Sequence, residues 1–515
     1  MAHEEHVVAG WIETASPLLK DWVDQEPFES LQRLNGIQGL VDDCLEALEQ
    51  AAFNAAFARL NERAQEVAGR CRVCRMGCER ERQTVSVRTT RCPLEVVVWR
   101  YRCRPCRTSC CPVREWLGLE SGATTAGFDR AVTALATQSS FGVAAEQMLE
   151  QHGHEVNRTL IERRTYAVGR DAVAYLEERR SRRTNEVMDA VGVRHGAEQV
   201  LLQIDSGAVP VGKLVRPARD KKDETQALTP VRQLPKGHRA KTNREVRVAL
   251  AWQPGVVENK VVDVHIAPLK HPEFSGERMY AASLEAGLGD NTHAHCTCDM
   301  AKWQSLQFEE QFGAQPKHSL CADFYHTLEY VSAASKALQS DENKLSSWIA
   351  MQARRLKEGD LKGILGDLRR HSCEKGPCFR TDQNECTVVA AVRYLTRNGK
   401  YMDYPRFIAE NLPIGSGEVE GRIRHVVRRR LHVPGDWREE NLVLLTALLT
   451  IRHSGWWDDF WEWRDDRDKK RFQRRLLGEG LNRFRGPRPQ RFVTSGTERL
   501  ELDGLSPMFQ AAPMH

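Results

Sequence analysis

The stretch Val200-Leu-Leu-Gln-Ile-Asp-Ser-Gly207 decides the fold class, because an almost uninterrupted apolar run ends in a carboxylate. A run of this kind is typical of a strand in the centre of a sheet. The segments that follow alternate between strand and helix periodicity in the order β-β-β-α-β-α-β, which predicts an α/β core. After the first strand, the predicted elements are strands at 246–252 and 260–266, a helix at about 276–286, a strand at 294–298, a helix near 302–312 and a strand at 318–322.

Acidic residues recur where these predicted strands end. Asp205 ends the first strand, Asp299 the fourth and Asp323 the fifth, and Glu420 lies in a Gly-rich entry to a later helix. A carboxylate at the exit of an apolar strand is costly unless something uses it, although each Asp can instead cap a turn or the following helix. Because adjacent strands end at one edge of a sheet, we expect these acids to converge.

Three convergent acids suit two divalent ions about 3.5–4 Å apart, the arrangement that supports in-line attack at a phosphodiester. Oxygen ligands favour Mg²⁺ or Mn²⁺ over zinc. The pattern therefore predicts an RNase H-like catalytic core in which Asp205, Asp299 and Glu420 bind metal. Asp323 either lies behind these ligands with His326, without contacting the metal, or replaces Asp299 as a ligand. Glu418 is the rival of Glu420, but residues two apart on a helix point in different directions.

Eight of the fifteen Cys fall between residues 70 and 112. Two C-x2-C pairs, separated by 28 residues, each present two thiolates to one point, as a tetrahedral zinc site requires. The residues at 84–88 and 94–101 alternate like a hairpin, so the pattern indicates a zinc ribbon, with free or redox-active cysteines as the alternative. The predicted zinc ligands are Cys71, Cys74, Cys103 and Cys106. The cysteines left over, which could support a second site, are Cys78, Cys92, Cys110 and Cys111.

Between Arg70 and Arg107 there are eleven Arg and no Lys. Such clustering indicates a surface that binds the phosphates of a nucleic-acid backbone; the alternative is an ordinary charged surface exposed to solvent. Beyond it, an amphipathic helix at 141–149, a turn at 151–154 and a helix at 157–168 predict a helix-turn-helix, with an ordinary helical hairpin as the alternative. The residues expected to contact double-stranded DNA are Arg158, Arg163 and Arg164 of the recognition helix, and Arg424 and Arg428 downstream of Glu420.

The 515-residue chain has 41% hydrophobic residues, 12 Trp and a net charge of +5, which suits roughly two to four folded domains. No apolar stretch approaches the roughly 18–20 residues of a membrane span, and the sequence MAHEEHVVAGW lacks the basic and apolar regions of a secretory signal. We therefore expect a soluble protein in the reducing cytoplasm, without a membrane partner.

These patterns predict a multidomain α+β protein. Segment 209–244, rich in Pro, Lys and Arg, is predicted to be a mobile surface loop. The predicted regions are an N-terminal helical region at 1–69, a Cys-rich zinc ribbon at 70–115, a helix-turn-helix with linker helix at 120–190, an RNase H-like core at 195–326 and 405–465, a helical insertion at 327–404 and a C-terminal tail at 466–515. The tail is expected to be loosely ordered from Arg485 on.

A set of short motifs together covers most of residues 70–460. The most specific is Leu412-Pro-Ile-Gly-Ser-Gly417 followed by Val419-Glu-Gly421. The others are the two Cys pairs with Leu117-Gly-Leu119, Phe141-Gly-Val-Ala-Ala-Glu146, Ile204-Asp-Ser-Gly-Ala-Val-Pro210, Ala240-Lys-Thr-Asn-Arg-Glu-Val246, Asp299-Met-Ala-Lys-Trp303, Asp323-Phe-Tyr-His-Thr-Leu-Glu329 and 441–457. In these stretches the chain resembles bacterial insertion-sequence transposases of the ISKra type, a family with a DDE active site.

The resemblance implies an enzyme that binds the ends of a mobile element and catalyses Mg²⁺-dependent DNA cleavage and strand transfer. It also implies a homo-oligomer that pairs two DNA ends beside the bacterial nucleoid. The chain departs from the family in Cys298-Asp-Met-Ala301, where the family tends to have Gly-Asp-Gly-Ala. Two other functions stay open: a zinc-ribbon and helix-turn-helix DNA-binding protein without catalysis, such as a regulator or inactive transposase, and a metal-dependent nuclease without strand transfer.

Overall fold

The computed structural model contains two compact units. The described residues of 1–88, 92–123 and 469–515 form the first unit, and those of 89–91 and 124–468 form the second. The structure describes residues 34–71, 73–119, 123–190, 192–215, 238–256, 260–268, 273–338, 342–370, 379–382, 384–433 and 437–476.

The first unit is a helix beside a small sheet. Helix α1 (Leu34–Ala68) occupies part of the region predicted to be helical. Strands β1 (Glu79–Arg88) and β2 (Pro93–Cys103) form an antiparallel hairpin in continuous register. With β3 (Thr108–Cys110) and β4 (Ala123–Thr124), the sheet order is β3-β2-β1-β4. A short helix, α2, occupies Pro112–Leu117.

Side chains of α1 hydrogen-bond to backbone groups of β2. The Gln50 amide pairs with the N–H and C=O of Glu95 at 3.1 and 2.9 Å. The Asn61 amide donates to the C=O of Val97 at 2.7 Å and accepts from the N–H of Trp99 at 3.3 Å. An unpaired strand edge can act as a template for a strand of another chain. Here the helix makes the hydrogen bonds that a neighbouring strand would otherwise make, so these backbone groups of β2 are paired.

The second unit begins with three helices, α3 (Ala126–Ala136), α4 (Phe141–His152) and α5 (Arg158–Met188). Each starts after a polar residue whose side-chain oxygen accepts a hydrogen bond from the backbone N–H three residues on, which is standard N-capping. These caps are Thr125, Ser140 and Asn157. The predicted recognition helix at 157–168 is thus the start of a 31-residue helix that continues to Met188.

A five-stranded mixed sheet follows, with the order β7-β6-β5-β8-β9. Strands β5, β6 and β7 pair with one another in antiparallel fashion, whereas β8 and β9 run parallel to β5. The strands are β5 (Gln199–Val215), β6 (His238–Trp252), β7 (Val261–Ile266), β8 (His293–Cys298) and β9 (His318–Ala322).

The length of the β5–β6 ribbon corrects two expectations. Val215 pairs with His238, so 209–215 and 238–244 are strand, and the prediction of a mobile loop over 209–244 is wrong there; residues 216–237 lie outside the described part. Asp205 lies inside β5 rather than at its end. The strand continues because Val209 and Val211 keep the alternating pattern and bury their side chains.

Helices connect and cover the sheet. Two of them, α6 (Glu273–Glu285) and α7 (Lys302–Phe312), link β7 to β8 and β8 to β9. A helical segment follows β9, in the region predicted as an insertion. It contains α8 (Phe324–Leu338), α9 (Leu345–Lys357), α10 (Leu361–Arg370), α11 (Thr387–Asn398) and α12 (Tyr404–Ala409).

The last described elements are helices that carry and cover the candidate site. Helix α13 (Gly417–Arg422) runs directly into a π-helical segment, Ile423–Leu431. Helices α14 (Glu439–His453) and α15 (Trp457–Leu476) follow, so the first residues of the predicted C-terminal tail, 466–476, are helical. Residues 477–515, including the part from Arg485 that is expected to be loosely ordered, lie outside the described part. Of the helices that are described, none is both long and apolar enough to cross a membrane.

Helix α14 seals the outer edge of β7. The Ser454 hydroxyl accepts from the N–H of Val262 at 2.9 Å and donates to its C=O at 3.0 Å. The Thr450 hydroxyl makes the same pair of contacts with Val264, at 2.9 and 3.3 Å. All six residues of β7 are buried. Two hydroxyls one helical turn apart therefore satisfy backbone groups two residues apart on the strand.

Candidate functional site

The four cysteines predicted to bind zinc come together in the first unit. Their sulfur atoms all lie within 4.8 Å of one another, and Cys71 and Cys103 are buried. A set of four thiols at this spacing is the donor set of a structural zinc site. The cluster consists of Cys71, Cys74, Cys103 and Cys106.

Each cysteine pair is followed by an Arg in the left-handed backbone region. Arg75 has φ +60° and Arg107 has φ +53°. Left-handed residues other than Gly are uncommon and cost about 1 kcal/mol or more, so the surrounding structure must hold both turns. Backbone N–H groups of Cys74 and Val73 point at the Cys71 sulfur and lower its pKa to about 6. The cluster thus already favours one thiolate.

The surplus cysteines do not complete a second site within the described residues. Cys78 lies near the cluster, and burial followed by the charges of neighbouring thiolates raises its pKa. The pKa of Cys111 is raised by burial. Across the described ranges, the four-cysteine cluster is the one group of three or more Cys, His, Asp or Glu ligand atoms lying within 4.8 Å of one another.

In the second unit, the predicted acids lie within electrostatic range of one another but are less tightly grouped. Burial raises the pKa of Asp205, and the charge of Glu420 raises it further, whereas His326 and Arg428 act in the opposite direction. Burial also raises the pKa of Asp299, to about 6; His326 opposes this, and the carboxylates Asp205, Asp323 and Glu420 add to it. Strand β5, the residues after β8 and β9, and helix α13 thus place their acids within electrostatic range of one another, although no three of these carboxylates lie within 4.8 Å of one another.

Asp323 differs from the other acids because its carboxylate is already engaged. It is fully buried, and one oxygen accepts from the backbone N–H of His326 at 2.6 Å. The other oxygen accepts from the backbone N–H of Ser416. The side chain therefore caps α8 and tethers the turn before α13, which favours Asp299 over Asp323 as the second acid of the cluster.

Glu420 and Glu418 point to different surroundings. Glu420 is exposed, and its carboxylate accepts a long hydrogen bond of 3.4 Å from the Ser416 hydroxyl. Glu418 instead pairs with Lys260 at 2.7 Å. Among the described residues, Asp205, Asp299 and Glu420 make no ion pair. Glu420, not Glu418, is therefore the free carboxylate on the side of Asp205.

Sequence reasoning missed the residue that holds Glu420 beside Asp205. Gln203, buried in β5, donates to the C=O of Gly415 and accepts from the N–H of Val419, both at 2.9 Å. It lies two residues before Asp205 and therefore on the same face of the strand. The one sequence feature that could have identified Gln203 is that it is a polar residue within an otherwise apolar run.

The next strand fixes the same turn from the other side. His295 and Thr297 of β8 contact the C=O of Pro413 at 2.9 and 2.8 Å. Burial lowers the pKa of His295 to about 4, so the ring is neutral at pH 7 and donates one N–H there. Strands β5, β8 and, through Asp323, β9 all bind the segment that leads to Glu420.

Aromatic residues lie beside the acids. The His326 ring meets those of Tyr330 and Tyr394 edge-on at 5.3 and 5.7 Å, and the two tyrosines stack at 4.2 Å. The Tyr394 hydroxyl, from α11, donates to the C=O of Asp299 at 3.3 Å. The helical segment after β9 therefore contributes directly to the surroundings of the acid cluster.

Met300, immediately after Asp299, has an unusual backbone. Its φ is +64°, in the left-handed region that favours Gly, and its side chain is buried with the sulfur 3.7 Å from that of Cys298. The departure noted in Cys298-Asp-Met-Ala301 thus falls where the backbone suits a glycine. The chain accepts a strained residue there and gains buried side-chain packing.

Of the five Arg residues predicted to contact DNA, four are exposed to solvent and the fifth forms an ion pair within the protein. Arg158 and Arg163 are exposed on α5, and Arg424 and Arg428 are exposed on the π-helical segment. Arg164 instead makes a two-pronged pair with buried Asp129, at 2.8 and 2.7 Å. The expectation that Arg164 binds DNA is corrected, because its guanidinium holds α5 to α3.

Comparison with protein-family models and with curated proteins gives no match for this chain.

Proposed function

We propose that the protein is a DDE transposase of a bacterial insertion sequence, similar to the ISKra type, with an RNase H-like catalytic core. The observation that carries this proposal is that the carboxylates on β5, after β8 and β9, and on α13 lie within electrostatic range of one another beside a sheet ordered β7-β6-β5-β8-β9. The antiparallel strands β5, β6 and β7 and the parallel strands β8 and β9 support an RNase H-like core. The helices after β9 support a helical insertion in that core.

The acids fit divalent metal. Asp205, Asp299 and Glu420 are oxygen donors that lack ion pairs within the described structure. Burial, followed by the charge of neighbouring carboxylates, raises the pKa of Asp205 and of Asp299. We propose that they hold Mg²⁺ or Mn²⁺. When bound, the metal supplies activation of the attacking water or DNA 3′-hydroxyl and stabilises charge at the scissile phosphate. Gln203 and Asp323 hold the turn that places Glu420.

Exposed arginines supply the proposed DNA contacts. Arg424 and Arg428 lie on the π-helical segment that continues α13 beyond Glu420, so they can bind phosphates next to the phosphate that is cleaved. Arg158 and Arg163 lie at the start of α5, where a recognition helix contacts bases. We propose that the four-cysteine unit binds zinc and presents further Arg side chains to DNA. A homo-oligomer that pairs two element ends, acting in the bacterial cytoplasm, follows from this proposal.

The test is a cleavage assay with the protein and its own flanking DNA. We expect Mg²⁺ to support nicks at fixed positions at the element boundaries, mapped by primer extension, with no nicks in chelator or on DNA with shuffled ends. Tight DNA binding without cleavage in Mg²⁺ or Mn²⁺ would instead support the DNA-binding protein without catalysis. Cleavage without joining of the 3′-end to target DNA would support a nuclease.

Gly207 gives a test of how the site is positioned. A Cβ at this residue would lie 2.7 Å from Cγ1 of Val427 in the π-helical segment. Gly207→Ala should therefore push away the segment that carries Arg428 and reduce cleavage by roughly 10- to 100-fold, measured as nicking rate. The double variant Gly207→Ala/Val427→Ala removes the clash and should recover part of the rate. Unchanged nicking in the single variant would show that this contact does not set the geometry.

A further inference from the structure

A groove of about 700 Å³ lies within the first unit, between α1 and the β1–β2 hairpin. Phe57 of α1 and Val97 of β2 line it with apolar surface, and Trp99 and Arg80 line it with a flat ring and guanidinium. Arg82 also lines it. None of the four clustered cysteines belongs to this lining.

Its side chains form a stacking surface beside a free positive charge. The Arg80 guanidinium lies 4.6 Å over the Trp99 ring. Arg82 pairs directly across the hairpin from Trp99 and makes no ion pair with any described residue. Aromatic and guanidinium planes stack on nucleobases, and a free guanidinium binds phosphate through two parallel hydrogen bonds. A base beside a phosphate is therefore the ligand chemistry that this surface matches.

The groove also carries negative charge, which decides between one strand and two. Glu62 of α1 and Glu95 of β2 belong to the lining. These carboxylates repel phosphate, and a duplex carries two rows of phosphates whereas a single strand carries one, so the groove disfavours a duplex more than a single strand. A base can reach the apolar floor only when it is unpaired.

We propose that this groove binds unpaired nucleotides of a DNA strand, with a base against Arg80 and Trp99 and a phosphate at Arg82. The inference rests on the proposed function in one respect, that DNA is the natural ligand. It gives the four-cysteine unit a specific role, because the groove would hold a strand that has been opened or frayed near the element end.

The experiment measures binding of a fluorescent oligothymidylate to the zinc-loaded full chain by anisotropy. Arg82→Ala should weaken binding by about fivefold or more and reduce the salt slope by about 0.7, the value for one lost phosphate contact on a single strand. Trp99→Ala should weaken binding by about tenfold, and Trp99→Phe, which keeps a ring, by less. An unlabelled duplex of the same length should compete poorly at the groove.

Arg102→Ala is the matched control, since Arg102 is exposed on the same hairpin and does not belong to the groove lining. Zinc content and circular dichroism establish that each variant is folded. Equal weakening by Arg82→Ala and Arg102→Ala, or an unchanged affinity in both Arg82→Ala and Trp99→Ala, overturns the inference. Nicking of element-end DNA is scored separately: its absence with intact oligothymidylate binding counts against the transposase alone, and its presence without binding counts against the groove alone.

Discussion

Asp205→Asn, Asp299→Asn and Glu420→Gln should each reduce Mg²⁺-dependent DNA cleavage by at least about 100-fold. The substitutions are nearly isosteric, but each removes one negative charge that a divalent ion needs, and a two-metal site supplies several kcal/mol of transition-state stabilisation. DNA affinity should change little or rise, because removing a carboxylate relieves repulsion from phosphate. The rates are measured as single-turnover nicking of element-end DNA, and the affinities by anisotropy.

Two further substitutions serve as controls for this result. Glu418→Gln should keep most of the activity, because Glu418 pairs with Lys260 instead of facing the cluster. Asp323→Asn should lower the melting temperature, because one of the two N–H groups bound by Asp323 loses its acceptor. If Asp323→Asn abolishes cleavage in a stable protein while Asp299→Asn stays active, the second metal ligand follows β9. If all these variants cleave like the parent, the acids are structural and the DNA-binding alternative is favoured.

Loss of the four-cysteine centre should unfold the ribbon of the first unit. Cys71→Ser or Cys106→Ser removes one ligand, so zinc should be absent from the purified variant, and amide protons of 79–110 should exchange much faster. Zinc binding contributes on the order of 10 kcal/mol in small zinc domains, which exceeds what a two-stranded hairpin supplies from its own packing. Zinc is measured by elemental analysis and exchange by mass spectrometry.

Cys78→Ser is the matched control for the zinc prediction. Cys78 lies beside the cluster but does not belong to the four-sulfur group, so this variant should retain zinc. DNA affinity should fall in the Cys71 and Cys106 variants and stay near the parent value in Cys78→Ser. A protein purified without chelator that contains no zinc would contradict the assignment of the cysteines.

The parts of the structure that the sequence predicted well are those governed by local patterns. The spacing of Cys71, Cys74, Cys103 and Cys106 was enough to predict that the four sulfur atoms come together, because each C-x2-C turn brings its own two sulfurs to one point. The order of the core strands followed from hydrophobic periodicity, since each strand carries its pattern within a few residues. The different directions of Glu418 and Glu420 followed from helical geometry alone.

The parts that could not be predicted depend on contacts between distant residues. Gln203 meets Gly415 across 212 positions, and no local pattern says which turn a buried amide will bind. Arg164 looked like a DNA contact because its partner, Asp129, lies on another helix. The far end of the β5–β6 ribbon, 209–215 with 238–244, was mistaken for a loop because segment 209–244 is rich in Pro, Lys and Arg. Alternating Val residues, Val209 and Val211, continue the strand there instead.

The hydroxyls that seal β7 affect how the chain folds while it is being synthesised. A strand with all six residues buried is the kind of segment that nucleates cross-β aggregates when its edge is open. Thr450 and Ser454 lie far downstream, so a ribosome must add almost two hundred residues after β7 before that edge can be closed. Until then the nascent chain exposes it, and chaperones would be needed most during that interval.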